Sequence, residues 1–299
     1  MEKQKVKPEV TVVTVDFNGY DLTCSLIESL KKIDSCSLEI IVVDNGSKRN
    51  EALDIAGRYP YVKTVRSEKN LGFAGGNNLA LPYVHGDYVF FLNNDTEVEE
   101  DGFSALVWML EENPDVGIVC PKIRFYDPPR PIQFAGYTPL SPITLRNSLV
   151  GFGRLDNGDF DKKGESAYAH GAAMLVRRTA LDEVGPMPEC YFLYYEEIDW
   201  SVMFRRCGWK IMYNPDCTIF HKESATTGKN SPKRCYYITR NRLLFAVRNL
   251  SGLKRFLSVV FQLFVSFPRR ASVELAHGRV ENVRASWKGV RDFLKMGML

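Results

Sequence analysis

The sequence predicts an α/β fold with a mostly parallel sheet flanked by helices, and three observations carry that reading. Val- and Ile-rich runs alternate with segments of helical spacing through the first 125 residues. The runs are apolar without a break, as strands are when helices cover both faces. Three of them end in an acid, at Asp16, Asp44 and Asp95. Ligands of open α/β sheets bind beyond the carboxyl ends of the strands, so these acids are candidates for one site.

The elements follow in order. EVTVVTVDFN is a buried strand ending at Asp16, and GYDLTCSLIESLKKI places Leu22, Leu26, Ile27 and Leu30 on one helical face. LEIIVVDNGS is the second strand, RNEALDIAGRY a helix and YVKTVRS a short third strand. NLGFAGGNNLALPYV is a Gly-rich loop leading into a helix. DYVFFLNND is the fourth strand, DGFSALVWMLEEN a helix and VGIVCPKIRFY another strand. Residues 127 to 168 are rich in Pro, Gly and Asp and predict a long, mobile insertion over the sheet's edge. Regular structure resumes with AYAHGAAMLVRR and a helix over Thr179 to Val184. The next helix spans Glu196 to Arg206 and stops at Gly208. KIMYNPDCTIFH is a last strand ending at His221.

Composition bounds the class. The chain has 299 residues, 45% of them hydrophobic and 25% charged, which is ample for a sizeable core. Net charge is only +3, but it is unevenly spread. Residues 222 to 299 hold 16 Lys and Arg against 4 Asp and Glu, a net of +12, and residues 1 to 221 carry the balance of −9. An acidic body with a basic tail points to an anionic partner. Seven scattered cysteines with no Cys-x-x-Cys read as reduced thiols in a cytosolic protein. The charged start MEKQKVKPEV has no apolar leader. FLSVVFQLFVSF, the longest apolar run, is shorter than the roughly 20 residues a membrane-crossing helix needs.

Several clusters carry candidate chemistry. Asp16 and Asp44 can each cap the following helix, or accept from a base imide or a ribose hydroxyl. Gly72, Gly75 and Gly76 allow close approach of backbone to a ligand, without matching the dinucleotide fingerprint. In FFLNNDTEV, Asp95 stands where a polar turn or a divalent metal would use it. In YFLYYEEIDW, acids at a helix N-terminus suit the dipole. Their aromatic setting also suits a carboxylate of raised pKa serving as general base. His221 is either a structural residue or the completion of a metal site.

The order of these pieces is more specific than any one of them. VTVVTVDFNG, IIVVDNGS, NLGFAGGNN, FFLNNDTEV, HGAAMLVRR, YFLYYEEIDWSVMFRRCGW and a closing FH resemble, in series, the family-two glycosyltransferases of GT-A fold, and within them a rhamnosyltransferase-like branch. The resemblance covers about residues 10 to 250. It implies a catalytic domain over residues 1–221, with a nucleotide-sugar half at about 8–125 and an acceptor half at about 165–221, followed by a basic amphipathic helical extension over 222–299. It implies that Asp16 and Asp44 contact the ribose and base, and that Asn70, Gly72, Asn77, Asn93 and Asn94 line the nucleotide-sugar pocket. Asp95 and His221 would hold Mn2+ or Mg2+, and Glu197 would be the general base. Glu196, Asp199, Trp200, His170 and Gly171 would position acceptor or sugar. Two positions depart from the family pattern. Asn93 stands where many relatives carry the first Asp of an Asp-any-Asp motif, and Glu197 where many carry Asp.

The function that the resemblance implies is inverting transfer of a sugar such as rhamnose in cell-surface polysaccharide synthesis. The donor is a dTDP- or UDP-sugar, and the acceptor is a glycan or lipid-linked glycan hydroxyl. The alternatives are a nucleotidyltransferase, disfavoured because VDFNGYD has no Lys or Arg for a triphosphate, and a non-catalytic nucleotide-sugar-binding protein. The tail RLLFAVRNLSGLKRFLSVVFQLFVSFPRR interleaves basic and apolar residues. It is either a helical cap that can support a homodimer or a peripheral contact at the inner face of the cell membrane. Nucleic acid is not an expected partner, since no nucleic-acid motif is present.

Overall fold

The computed structural model describes residues 9–223 and 231–297. The N-terminal stretch read as lacking a leader (1–8) and residues 224–230 of the basic segment after His221 lie outside the described residues. The first half alternates strands and helices: β1 (Glu9–Asp16), α1 (Tyr20–Leu30), β2 (Ser37–Asn45), α2 (Glu51–Arg58), β3 (Lys63–Ser67), α3 (Gly72–Ala80), β4 (Tyr88–Leu92), β5 (Thr96–Glu97), α4 (Phe103–Glu112) and β6 (Val116–Phe125). The second half adds β7 (Ile132–Phe134), β8 (Gly164–Glu165), β9 (Ala173–Arg177), α5 (Arg178–Val184), α6 (Glu196–Arg206) and β10 (Lys210–His221). Four helices close the chain: α7 (Pro232–Asn249), α8 (Gly252–Phe261), α9 (Phe267–Ala276), which follows a π-helical turn at Gln262–Ser266, and α10 (Val280–Lys295).

One sheet runs β3-β2-β1-β4-β9-β6-β10-β5, with β7 added to β6 and β8 to β10. The pairings β3–β2, β2–β1, β1–β4 and β6–β10 are parallel, and β9 lies antiparallel between β4 and β6. All six longer strands other than β9 therefore point the same way. Their apolar runs are buried because helices cover both faces: all of β4 is buried, as are the last six residues of β2. Asp16 pairs in register with Asp44, so two strand ends stop at one level.

The segment 127–168 does not hang over the sheet's edge as a loose insertion. Ile132 and Phe134 are fully buried against β6, and Ile132 N donates to Arg154 O at 2.7 Å. Ala135 N and Val150 N bond across to Val150 O and Gly136 O, which folds the segment back on itself. Burial of two large apolar side chains outweighs its Pro- and Gly-rich composition.

The C-terminal helices form a second core. Leu243, Leu244 and Phe245 of α7 and Val290 and Phe293 of α10 pack with Tyr191, Tyr195 and Leu145. Gly289 lets α10 lie tight on α7, since a Cβ there would sit 2.7 Å from Tyr236 O. Outward, Leu253, Phe256 and Phe264 are exposed. No described helix is long and apolar enough to cross a membrane.

The two cores meet at residues 191–195. Phe192, Tyr194 and Tyr195 have φ of 66°, 69° and 81°, a left-handed run that costs free energy for non-glycine residues. Asn241 of α7 holds it. Its buried amide nitrogen reaches Tyr191 O, Leu193 O and Tyr194 O at 3.0, 2.7 and 2.8 Å. Arg240 adds bonds to Cys190 O and Tyr191 O. Asn241→Ala leaves Leu193 O and Tyr194 O without this donor while Tyr191 O keeps Arg240, and two buried unpaired groups cost on the order of 2 kcal/mol together. Urea unfolding of that variant should show a lower midpoint at unchanged slope, whereas a loss below about 1 kcal/mol would mean the loop holds itself.

Candidate active site

A cavity of about 520 Å3 opens beyond the carboxyl ends of β1, β2 and β4. Its walls come from the nucleotide half of the sheet, from the folded-back insertion, from residues 170–172 and 192–197, and from the start of α7. Asn70, Gly72, Asn77, Asn93, Asn94, Asp95, His170, Gly171, Glu196, Glu197 and His221 all line it. Sequence reasoning marked each of these.

β-strand pairing brings Asp95 to His221. β5 runs antiparallel to the end of β10, with His221 opposite Thr96, and Lys222 N donates to Asp95 O at 2.9 Å. His221 Nε2 then stands 3.0 Å from Asp95 Oδ1, and both residues are buried. His221 Nδ1 stands 2.8 Å from Gln133 Oε1, and with a proton on Nδ1 alone the ring offers Nε2 as a ligand beside the Asp95 carboxylate. Among the described residues no group of three or more His, Cys, Asp or Glu could hold a metal ion. A pair with room beside it suits a metal that takes its remaining ligands from phosphate oxygens and water, so the residues present fit Mn2+ or Mg2+.

Glu196 and Glu197 begin α6, at its dipole-positive end. Glu196 is 3% exposed and its Oε2 has no hydrogen-bond partner. Burial, and then the charge of Glu197, push its pKa well above the ordinary carboxylate value and so favour its neutral form. Burial raises Glu197 to about 7, against backbone hydrogen bonds that lower it. Both carboxyls are thereby raised, and each charge disfavours the other. His170 is stacked on Tyr137, and its Nδ1 accepts from Ala172 N at 3.2 Å. Burial and the neighbouring His221 push it down to about 3, so the ring is neutral and its proton sits on Nε2.

Glycine is required at one wall position. Gly72 has φ of 78°, and a Cβ there would stand 2.2 Å from Phe192 O. Phe73 N donates to that same oxygen at 2.8 Å, so the start of α3 is docked onto the left-handed run before α6.

Four marked residues do not line the cavity. Asp44 is fully buried and accepts from Ser47 N and Ala52 N, with Arg66 as its ion-pair partner. Strand alternation turns Asp44 away and presents Asn45 instead, which does line the cavity. Asp16 is fully buried too, with Oδ1 accepting from Thr23 Oγ1 at 2.7 Å and from Asn94 Nδ2 at 3.3 Å. Asp199 binds Arg248 Nε and Asn249 Nδ2, at 2.8 and 2.6 Å, which ties α6 to α7. Trp200 is core: it is 1% exposed, packs edge-on against Phe91 and Phe204, and donates to Gly185 O. Direct contact with a ligand by these four is therefore corrected to support of the walls.

Sequence reasoning missed Asn45, Gln133, Tyr137 and Lys233, which also line the cavity. Lys233 belongs to the basic tail, so a boundary at residue 221 cuts through the site.

Fold and cavity together define a transferase of GT-A architecture, and comparison with known proteins agrees. Residues 11–185, more than half of the chain, match the family described as Glycosyl transferase family 2. The chain belongs to that family and is an enzyme of the transferase class. It is 24% identical over 262 residues to N-acetylglucosaminyl-diphospho-decaprenol L-rhamnosyltransferase of Mycobacterium tuberculosis, a match that covers 81% of this chain and 85% of that one. It is 23% identical over 247 residues to the low-salt glycan biosynthesis hexosyltransferase Agl10 of Haloferax volcanii, covering 81% of this chain and 76% of that one. Among solved structures, GalNAc-T7 with UDP, GalNAc and Mn2+ superposes with a TM-score of 0.65 at 17% identity over 90% of this chain, which spans 58% of that protein. S. aureus TarS in complex with UDP-GlcNAc gives 0.61 at 17% identity, over 96% of this chain and 81% of that one. At such identities the likeness shows the fold alone.

Burial, and then the nearby Glu51 carboxyl, raise Asp16 to about 8. Its unfolded value lies near 4, roughly the ordinary Asp range. The folded state therefore holds a proton that the unfolded state has lost, and Asp16 costs stability increasingly as pH rises from about 4 to about 8. Asp16→Asn does not titrate. Its melting temperature relative to the wild type should climb between pH 5 and pH 8, and parallel curves would show that Asp16 ionises without penalty.

Proposed function

We propose that the protein is an inverting, metal-dependent glycosyltransferase. It moves a deoxyhexose or hexose from a nucleoside diphosphate to a hydroxyl of a lipid-linked glycan acceptor. One observation carries the reading: the Asp95–His221 pair and Glu197 line the same cavity.

The chain's own groups divide the work. Asn45 and Asn70, at the ends of the nucleotide strands, offer polar contacts to the nucleoside. Asp95 and His221 would hold the divalent ion, with Gln133 orienting the His221 ring. When bound, that metal neutralises charge on the departing diphosphate as a Lewis acid. Lys233 lines the same cavity and adds a cation. Glu197, set near 7 by burial, takes the proton of the acceptor hydroxyl at its carboxylate as the oxygen bonds to the anomeric carbon. Burial favours the neutral form of Glu196 beside it, which limits the negative charge that Glu197 meets when it ionises. His170 holds its proton at Nε2 as a neutral donor to sugar or phosphate.

The relatives support the substrate class. One is named as a rhamnosyltransferase acting on N-acetylglucosaminyl-diphospho-decaprenol. Structures of the same fold hold UDP-GlcNAc, or GDP-Man with Mn2+. A dTDP- or UDP-sugar donor and a diphospholipid acceptor follow by analogy. The exposed Leu253, Phe256 and Phe264 support peripheral contact with the lipid surface that carries such an acceptor.

Glu197→Gln should lower transfer by roughly 10²- to 10⁴-fold, the usual worth of a positioned base, while the donor's Kd changes less than about threefold. A parallel loss of donor binding would make Glu197 a binding group instead. His221→Ala should remove the Mn2+-dependent part of nucleotide diphosphate binding, read by calorimetry with metal and with chelator. Unchanged metal dependence would remove His221 from the ligand set.

A further inference from the structure

A second cavity, of about 550 Å3, adjoins the first, and Tyr194 and Glu197 line both. Its charge is one-sided. Arg146 of the folded-back insertion, Arg242 of α7, and Arg269 and Arg270 of α9 line it, and Glu197 is its one acidic lining residue among those described. Arg242 donates to the Tyr195 hydroxyl and Arg270 to Cys235 Sγ, neither of them a carboxylate. Of the four, only Arg270 is near a described carboxylate outside the cavity lining, that of Glu274, whose pKa its charge helps to lower. Asn147 also lines the space, and its buried Nδ2 has no hydrogen-bond acceptor. Like charges gathered around one cavity repel unless an anion lies among them, and arginine forks suit phosphate oxygens in particular. The same walls carry Leu145, Ile198 and Ile238.

The position of these arginines decides which anion. None of the four lines the cavity of Asp95 and His221, where the donor's diphosphate is read to lie. Glu197 stands at the junction of the two spaces. An anion among the arginines therefore reaches Glu197 from a space other than the one read to hold the leaving group, as an acceptor for inversion must. We propose that the second cavity is the acceptor subsite and takes an acceptor bearing a phosphate or diphosphate, with the anion between Arg146, Arg242, Arg269 and Arg270 and the reacting hydroxyl at Glu197. The inference rests on the transferase reading and adds to it a binding site for the acceptor's charge.

The test uses the full chain and its Arg146→Gln/Arg269→Gln variant, both side chains being exposed. Inorganic pyrophosphate and farnesyl diphosphate are titrated by calorimetry in chelator, so that the metal-dependent site is silent. UDP and dTDP are titrated separately with Mn2+. The wild type should bind pyrophosphate in chelator, and the double variant at least tenfold more weakly, with nucleotide affinity within about twofold. Equal pyrophosphate binding by the two proteins, or none by the wild type, overturns the subsite. Tighter binding of farnesyl diphosphate than of pyrophosphate supports a lipid-borne anion; equal binding supports a soluble phosphorylated acceptor in the same place. Absence of metal-dependent nucleotide binding, with the arginine-dependent anion binding intact, would count against the transferase reading and not against the anion subsite.

Discussion

The amide of Asn241 is the interaction on which the rest of the site depends. Three residues before α6 have left-handed backbone, and a chain of Phe and Tyr does not adopt that conformation unaided. Asn241 bonds the carbonyls of that run from α7. Two consequences follow from one constraint. Phe192 O is turned to receive Phe73 N, which docks α3 and its Gly72 at the nucleotide end. Tyr195 leads into α6 so that Glu196 and Glu197 open the helix at the cavity wall. The C-terminal helices thus help to shape the candidate site, and their packing supports a loop of unfavourable backbone conformation.

Environment, more than residue type, distinguishes the acids. Glu196, Glu197 and Asp199 share one helical turn. Asp199 is paired with Arg248 and Asn249, Glu196 is buried without a partner for one oxygen, and Glu197 faces the space between two cavities. The three strand-end acids differ in the same way. Asp44 is held by Arg66, Asp16 is enclosed with Thr23 and Asn94, and Asp95 stands 3.0 Å from His221 at the cavity wall. In each set one acid, Glu197 or Asp95, lines the cavity in the role proposed for it, and the paired acids Asp199, Asp44 and Asp16 lie behind the walls.

Much of this was legible along the chain, for physical reasons. Unbroken apolar runs ending in polar turns defined the strands and the level at which they stop. The bounds of α6 and β10 follow from helical spacing before Gly208 and from the apolar run to His221. The rest required three dimensions. Which of Asp44 and Asn45 faces a ligand depends on the register of β2 against β1. Trp200 stands three residues after Glu197, yet it turns into the core against Phe91, a contact that joins distant parts of the chain. Gln133 and Tyr137 lie in a segment whose composition suggested looseness, and only burial of Ile132 and Phe134 fixes them in the wall. Asn241 carries no local signal, because its partners are about fifty residues earlier.

The central claim is that burial sets Glu197 to act as a base near neutrality while a metal pair serves the leaving group in the adjoining space. The most direct measurement is the pH dependence of kcat/KM for transfer, at saturating Mn2+, in the wild type and in Glu197→Asp. A base must be ionised to act, so the wild-type rate should fall as pH drops through about 7 and level off above it, and the midpoint should move in Glu197→Asp. A rate flat between pH 5.5 and 8, or a midpoint unmoved by the substitution, would contradict the assignment.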